Sequence, residues 1–299
     1  MGLLASAVVY GAIAGSILAI AALGFNLQFG VTNYANFAYG PFLTVAAYSV
    51  FVLNDTPLHI GFWPAEIGAV LVTGLASFLI GQFLFTPFFK RRPQLLFGLT
   101  VTFSTAVILD SLIVGIWGSY VNVVTYPPGA LDVHTFGSLR VTSLDLSFVG
   151  IAILVFAATH AILNFTRLGR TMRAMSDNDA LAVACGLPTT RITAITWGIT
   201  GVLAGIAGVS YQLEVRSFDP TMGDQVFYLL VAAVIFGGIG RPFGSIVGAL
   251  AIGLVSQLSV LLVGEAYSTF SIFVVLVVLM LTRPDGVFGA RARSVFATA

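Results

Sequence analysis

Residues 24–41 read Gly24-Phe-Asn-Leu-Gln-Phe-Gly-Val-Thr-Asn-Tyr-Ala-Asn-Phe-Ala-Tyr-Gly-Pro41. The carboxamides Asn26, Gln28, Asn33 and Asn36 sit here between two apolar runs. A membrane-crossing helix needs about twenty apolar residues in succession, and this stretch interrupts that supply. Irregular backbone at membrane depth is tolerated where it lines a cavity or is buried in protein. The segment near 27–41 is therefore read as a broken or re-entrant piece of a span. The competing reading is a cytoplasmic turn with structural Asn caps.

The flanks place this segment in a membrane protein. Hydrophobic residues make up 58% of the 299-residue chain and charged residues 8%, whereas soluble domains carry about a quarter charged residues. Apolar runs at 4–26, 37–54, 63–86, 95–117, 147–164, 192–213, 225–240, 243–263 and 268–282 are candidate spans. Because 225–240 is short and 27–41 irregular, roughly eight to ten crossings are expected. The fold class is an all-α polytopic integral membrane protein, with 1–299 as one permease domain. Small residues at four-residue spacing mark helix faces that approach closely: Gly11 with Gly15, Gly201 with Gly205, and Gly240 with Gly244 and Gly248.

Charge orients the spans. Alternating them puts Lys90, Arg91, Arg92, Arg167, Arg170, Arg173, Arg191, Arg241, Arg283, Arg291 and Arg293 on one face, with only Arg140 and Arg216 opposite. The positive-inside rule makes the first face cytoplasmic, so the N-terminus falls outside. The opposite face carries Asp55, Asp132, Asp145, Glu214, Asp219, Asp224 and Glu265. Its largest loop, 118–146, contains the turn signal Tyr126-Pro-Pro-Gly129 and a weakly alternating hairpin candidate, 136–142.

Catalytic motifs are missing. Lys90 is the only lysine and no phosphate-binding loop motif surrounds it, so ATP would have to be hydrolysed on another chain. His59, His134 and His160 show no metal spacing. The net charge of +1 gives no reason to expect nucleic acid, and no cofactor is expected in this chain. Amides and phenols offer donors and acceptors without fixed charge. Asn26, Asn33, Asn36 and Tyr39 are therefore candidates for lining a pathway for a polar, net-neutral solute. Thr102 and Asp110 on the span 95–117 join them, since a carboxylate mid-helix costs roughly 2.5–3.5 kcal/mol on insertion scales. His160 on the next span is a candidate partner for Asp110.

The polar island 167–188 is longer than a connector requires; about two to eight residues join neighbouring spans. Ser176 or Asp177 is expected to cap a short helix, with Asp179 in its first turn, Gly186 as an αL stop and Pro188 as terminator. Such an element, fixed at both ends, can transmit motion from a soluble partner. The alternative is an interfacial helix with Arg170 and Arg173 on lipid headgroups.

Several stretches in this order resemble the Liv-type permeases of branched-chain amino acid ABC importers, closest to the H-type subunit. They are Gly24–Gly30, Asn36–Gly40, Gly169–Met175 with Ala182 and Gly186-Leu187, Leu203–Gly208, and Phe236–Ala249. The resemblance implies a prokaryotic inner-membrane importer with two ATPase subunits that bind ATP and Mg. It also implies a second permease subunit and an extracytoplasmic binding protein. It places the ATPase dock in 167–188, carried by Arg170, Arg173, Asp177, Asp179, Ala182, Gly186 and Leu187. This chain has Ala180-Leu-Ala182 where relatives often have Glu-Ala-Ala, Tyr39 where His is common, and Pro41 where Glu is common. Urea and short-chain amide importers share this permease type. A stand-alone channel or carrier for a small neutral solute is the reading from another class.

Overall fold

The computed structural model describes residues 2–54, 60–91, 95–124, 126, 132–136, 139–283 and 286–288. Arg92, Arg291, Arg293 and the turn after Tyr126 fall outside them. Long helices are α1 (Gly2–Thr32), α3 (Phe62–Ile80), α5 (Leu95–Trp117), α6 (Ser143–Phe165), α9 (Thr189–Val215), α11 (Pro242–Val263) and α12 (Ser268–Thr282). α3 runs through a π-helical turn, Gly81–Phe85, into α4 (Thr86–Arg91). The π-turn makes room for Trp197, whose ring would overlap any side chain at Gly81. A 3-10 turn, Glu265–Tyr267, extends α12 to 18 residues, whereas the apolar helices α2 (Tyr39–Asn54) and α10 (Met222–Gly237) have 16 each. Two polar ones, α7 (Arg167–Asp177) and α8 (Asp179–Ala184), lie in the island between α6 and α9.

α1 continues to Thr32, six residues beyond the apolar run read as the first span. The break is therefore confined to 33–38. Asn33 ends the helix in the left-handed region at φ 58°, a conformation in which Asn is enriched among non-glycine residues. The side chain of Asn36 accepts from the Ala38 N–H at 3.1 Å, closing a turn that starts α2 at Tyr39. Gly24, two turns back from the end of α1, lies against the Tyr39 hydroxyl and against Leu203. α2 thus starts alongside α1. With 16 residues it spans about 24 Å, short of the roughly 30 Å hydrocarbon layer.

The same construction recurs upside down. Arg216 ends α9 at φ 64°, and it and Asn33 are the only non-glycine residues with positive φ among those described. Asp219 accepts from the Thr221 N–H at 2.7 Å and α10 starts at Met222. The correspondence is residue for residue with a constant shift (216 − 33 = 223 − 40 = 183). The Asn33 and Arg216 N–H groups donate to residues four back, Phe29 and Gln212, at 2.8 and 2.9 Å. The Tyr39 and Met222 N–H groups donate to Asn36 and Asp219 carbonyls, both at 3.2 Å. α2 ends at Asn54 and α10 at its counterpart Gly237. One short helix runs outward and the other inward, the geometry of an inverted repeat.

Packing follows the repeat. Gly11 and Gly15 of α1 lie against α11, where an added Cβ would sit 2.9 Å from Leu254 Cα and 3.0 Å from Leu250 Cα. Gly201 and Gly205 of α9 lie in the same way against α3, at Gly74, Ser77 and Val70. The third glycine series divides: Gly240 sits in a turn at φ 78°, while Gly244 and Gly248 face α10. The repeats meet where the N-termini of α2 and α10 cross, Gly40 against Gly223, and the Gly223 N–H donates to Thr44 Oγ1 at 3.0 Å.

The outer cap is small. Strands β2 (Val133–Phe136) and β3 (Leu139–Thr142) form the expected hairpin. β1 (Asn122–Val123) pairs with β4 (Ser217–Phe218), tying the 118–146 loop to the second broken segment. The Tyr126 hydroxyl donates to the Leu213 carbonyl at 2.6 Å. Burial pushes that phenol up to about 12, so it stays protonated across physiological pH.

Candidate functional site

The sequence-derived candidates form two groups. Around the first break, Asn36 is buried and its amide donates to Gln28 Oε1 at 3.4 Å. Tyr39 is buried, edge-on to Phe25 with ring centroids 5.7 Å apart, and its hydroxyl has no partner among the described residues. Thr102 Oγ1 contacts the Ala35 carbonyl at 3.4 Å and donates within its own helix to Gly98 at 3.1 Å. Asn33, Asn36, Tyr39 and Thr102 are thus gathered at one break, with Gln28 beneath them.

Two candidates sit apart from this group. Asp110 lies on α5, half-buried, where its charged neighbour is Asp224 in the first turn of α10. His160 is not its partner; it lies with Asn164, Phe165 and Phe243 near the far end of α6. Asn26 faces away from the break. Its amide donates to the Gly238 and Arg241 carbonyls at 3.1 and 2.8 Å, and its oxygen accepts from the Gly240 N–H at 2.6 Å. Asn26 thereby clasps the turn between α10 and α11. Asn26→Leu strands three backbone groups, of which the Gly238 carbonyl is buried and worth about 1–3 kcal/mol when unpaired, while those of Gly240 and Arg241 are part-buried. The variant is expected to lower the thermal midpoint of the purified permease by several degrees, read by fluorescence-detected size exclusion.

The second group is the island 167–188. Thr166 caps α7, accepting from the Gly169 N–H at 3.1 Å. This earlier start carries Ser176 and Asp177 into the last turn of α7, so neither caps α8. Asn178, in extended backbone, does so instead, accepting from the Leu181 N–H at 3.0 Å. Gly186 stops α8 at φ 75°, and the Leu187 N–H returns to the Ala182 carbonyl at 3.1 Å. Met172, Met175 and Ala182 are buried in one cluster with Leu27 and Val31 of α1, Leu163 of α6 and Ile192 of α9; α7 packs on the last turns of α1, and α8 packs on α7 and α9. The opposite side is open: Leu181 is 60% and Val183 55% exposed. Arg170, Asp177 and Asp179 are exposed, and Arg173 donates to Asn164 Oδ1 at 2.7 Å.

Between these groups, on the face that carries most of the arginines, lies a cavity of about 500 Å³. Asn33 and Tyr34 of the broken segment, Thr193 and Trp197 of α9, and Met175 and Asp179 of the island line it. The island therefore borders both the end of α1 and this chamber.

A family model described as the permease component of the branched-chain amino acid transport system matches residues 7–282. The chain belongs to this family. It is similar to a probable LivH permease of Methanocaldococcus jannaschii, 25% identical, covering 96% of this chain and 92% of that protein. It is similar to the LivH permease of Escherichia coli K12 at 23% identity, covering 92% of each chain. It is also similar to the BraD permease of Pseudomonas aeruginosa at 24% identity over 94% of each. No solved structure matches. Among the described residues, seven helices are long and apolar enough to cross a membrane, in addition to the short pair α2 and α10. The protein is a multi-pass membrane permease of the Liv type, a transport protein and not an enzyme.

Proposed function

We propose that this chain is one membrane subunit of an ABC importer for branched-chain or related amino acids in a prokaryotic plasma membrane. Two ATPase subunits, which bind ATP and Mg, act from the cytoplasm. A second permease subunit completes the membrane part, and an extracytoplasmic binding protein delivers substrate to the outer loops. The substrate class follows the relatives named for branched-chain amino acid transport.

One observation carries the coupled reading: a short capped helix that buries Ala182 in a small core with α7 and α9 and exposes Leu181 and Val183 on the positively charged face. Exposed aliphatic side chains outside the lipid favour a protein partner. Arg170, Asp177 and Asp179 supply a polar rim for the contact, while Gly186 and Leu187 fix its end. The ATPase pushes on α7 and α8, and the cytoplasmic chamber at Asn33 and Trp197 opens or closes in response. Asn36, Tyr39 and Thr102 move with the broken segment that walls the chamber. The stand-alone carrier reading leaves the exposed faces of α7 and α8 without a purpose.

The test is purification from native membranes followed by mass spectrometry and ATP-driven uptake of leucine into vesicles. Co-purified P-loop ATPases together with ATP-dependent uptake are expected. A lone oligomer that moves solute without ATP overturns the reading.

A further inference from the structure

Two cavities meet on the outer side of the molecule. One, about 360 Å³, is polar and includes Tyr10, Arg140, Asp145, Glu214 and Arg216. The other, about 320 Å³, is largely apolar and lies between α1, α9, α10, α11 and α12, with Ile17, Leu18, Val226 and Ile252 in its wall. Glu214 lines both. Each volume falls in the range of small-molecule sites, roughly 300–1,000 Å³.

These cavities are the inverted-repeat counterparts of the cytoplasmic chamber. The same shift of 183 (216 − 33) maps Val31 onto Glu214 and Asn33 onto Arg216. In the other direction it maps Tyr10 onto Thr193 and Ala14 onto Trp197. Two chambers, built from the same positions of two repeats, thus open to opposite sides of one protomer. They differ in chemistry. The outer one carries a carboxylate and a guanidinium where the inner one carries Val31 and Asn33. It also holds the small Ala14 where the inner one holds the bulky Trp197. Glu214 and the two arginines form no ion pair with one another among the described residues.

We infer that the outer pair of cavities is a binding site, within a single protomer, for a zwitterionic amino acid with an apolar side chain. Arg140 and Arg216 take the carboxylate, Glu214 takes the ammonium, and the apolar chamber takes the side chain. The inner counterpart has Val31 and Asn33 in place of the Glu214 carboxylate and the Arg216 guanidinium, and Trp197 in place of Ala14; it holds the same solute weakly and lets it go. The inference rests on the amino-acid importer reading and assigns its substrate a place inside this chain.

The test uses the full chain in nanodiscs of phosphatidylcholine, without partners, and tritiated L-leucine. Saturable binding is expected, displaced by unlabelled leucine but not by 4-methylpentanoate, which lacks the ammonium, or isoamylamine, which lacks the carboxylate. Glu214→Gln removes one charge-assisted contact and is expected to weaken binding about tenfold to a hundredfold. Ala14→Phe, which fills the apolar chamber, guards against misfolding of the first variant. It is expected to abolish binding while running as wild type on size exclusion. No saturable binding overturns the site, as does unchanged affinity in both variants. Displacement of leucine by phosphatidylglycerol alone makes it a lipid site. Leucine uptake by the assembled importer is measured alongside. Uptake that ignores Glu214→Gln sinks the site and leaves the importer standing. Failure of the importer to carry any amino acid sinks the importer reading itself.

Discussion

Gly223→Ala is expected to leave no folded permease in the membrane fraction. A methyl at that position overlaps the Gly40 carbonyl oxygen and Thr44 Oγ1. The obstruction at Gly40 is backbone, which has no rotamer to yield. The site lies at the crossing of α2 and α10, where both repeats depend on close approach, and it also carries the Gly223 N–H bond to Thr44. Overpacking typically costs about 1–3 kcal/mol, more where rigid backbone must move. That is a large part of a marginal total of about 5–15 kcal/mol. The reciprocal change Gly40→Ala is milder despite the pseudo-symmetry. Its Cβ would stand 3.1 Å from both the Gly223 carbonyl oxygen and Phe227 Cβ and 3.3 Å from an Asp224 oxygen, so a shift of a few tenths of an ångström relieves it, where Gly223→Ala would need far more. Gly150→Ala, with nothing within 4 Å of the new Cβ, is the neutral control. Fluorescence-detected size exclusion of the three variants should order them Gly223, Gly40, Gly150 from most to least damaged. Equal behaviour of the first and third would show that the crossing is not closely packed.

Hydropathy and charge carried most of the fold. Each apolar run became a helix, and Gly11, Gly15, Gly201 and Gly205 met neighbours on the faces that their spacing predicts. The first break was visible because Asn26, Gln28, Asn33 and Asn36 crowd an otherwise apolar stretch. Its twin at 216–221 was not. Arg216-Ser-Phe-Asp-Pro220 reads as an ordinary outer loop after a span, and only its Asp-Pro pair signals a turn. Of the paired segments 33–44 and 216–227, the single identity is Gly40 with Gly223. What the repeats share is backbone conformation, a left-handed residue and an Asx turn, which Asn–Asn and Arg–Asp satisfy equally well. The outer chamber was missed for a related reason. Arg140, Asp145, Glu214 and Arg216 come from different loops and helix ends, and only the fold brings them to one cavity. Asn26 shows the reverse case, since its position in a polar run said nothing about which way the amide would turn.

Ala182→Pro is expected to abolish ATP-driven uptake while the spans still insert. Proline removes the Ala182 N–H bond to the Asn178 carbonyl, 3.0 Å long, and costs about 3 kcal/mol inside a helix. α8 spans only Asp179–Ala184, so no adjoining turn compensates and the helix melts. The loss also removes Ala182 from the buried cluster that it shares with Met172, Met175 and Ile192. Because Ala182 faces the membrane part, this variant alone cannot separate a lost dock from a loosened permease. Leu181→Glu can. Its side chain is 60% exposed, and exposed substitutions of this kind change stability by only about 0.5 kcal/mol. It should purify like the wild type yet retain little ATPase, since a charge now meets the apolar patch of the partner. Uptake should fall at least about tenfold, the equivalent of 1.4 kcal/mol in the docking equilibrium. The readout is the ATPase-to-permease ratio after gentle purification, set against leucine uptake in vesicles. Full ATPase retention with normal uptake in Leu181→Glu would place the dock elsewhere on the cytoplasmic face. Normal retention with lost uptake would leave α8 as a transmission element that the ATPase holds through Arg170 and Arg173 instead.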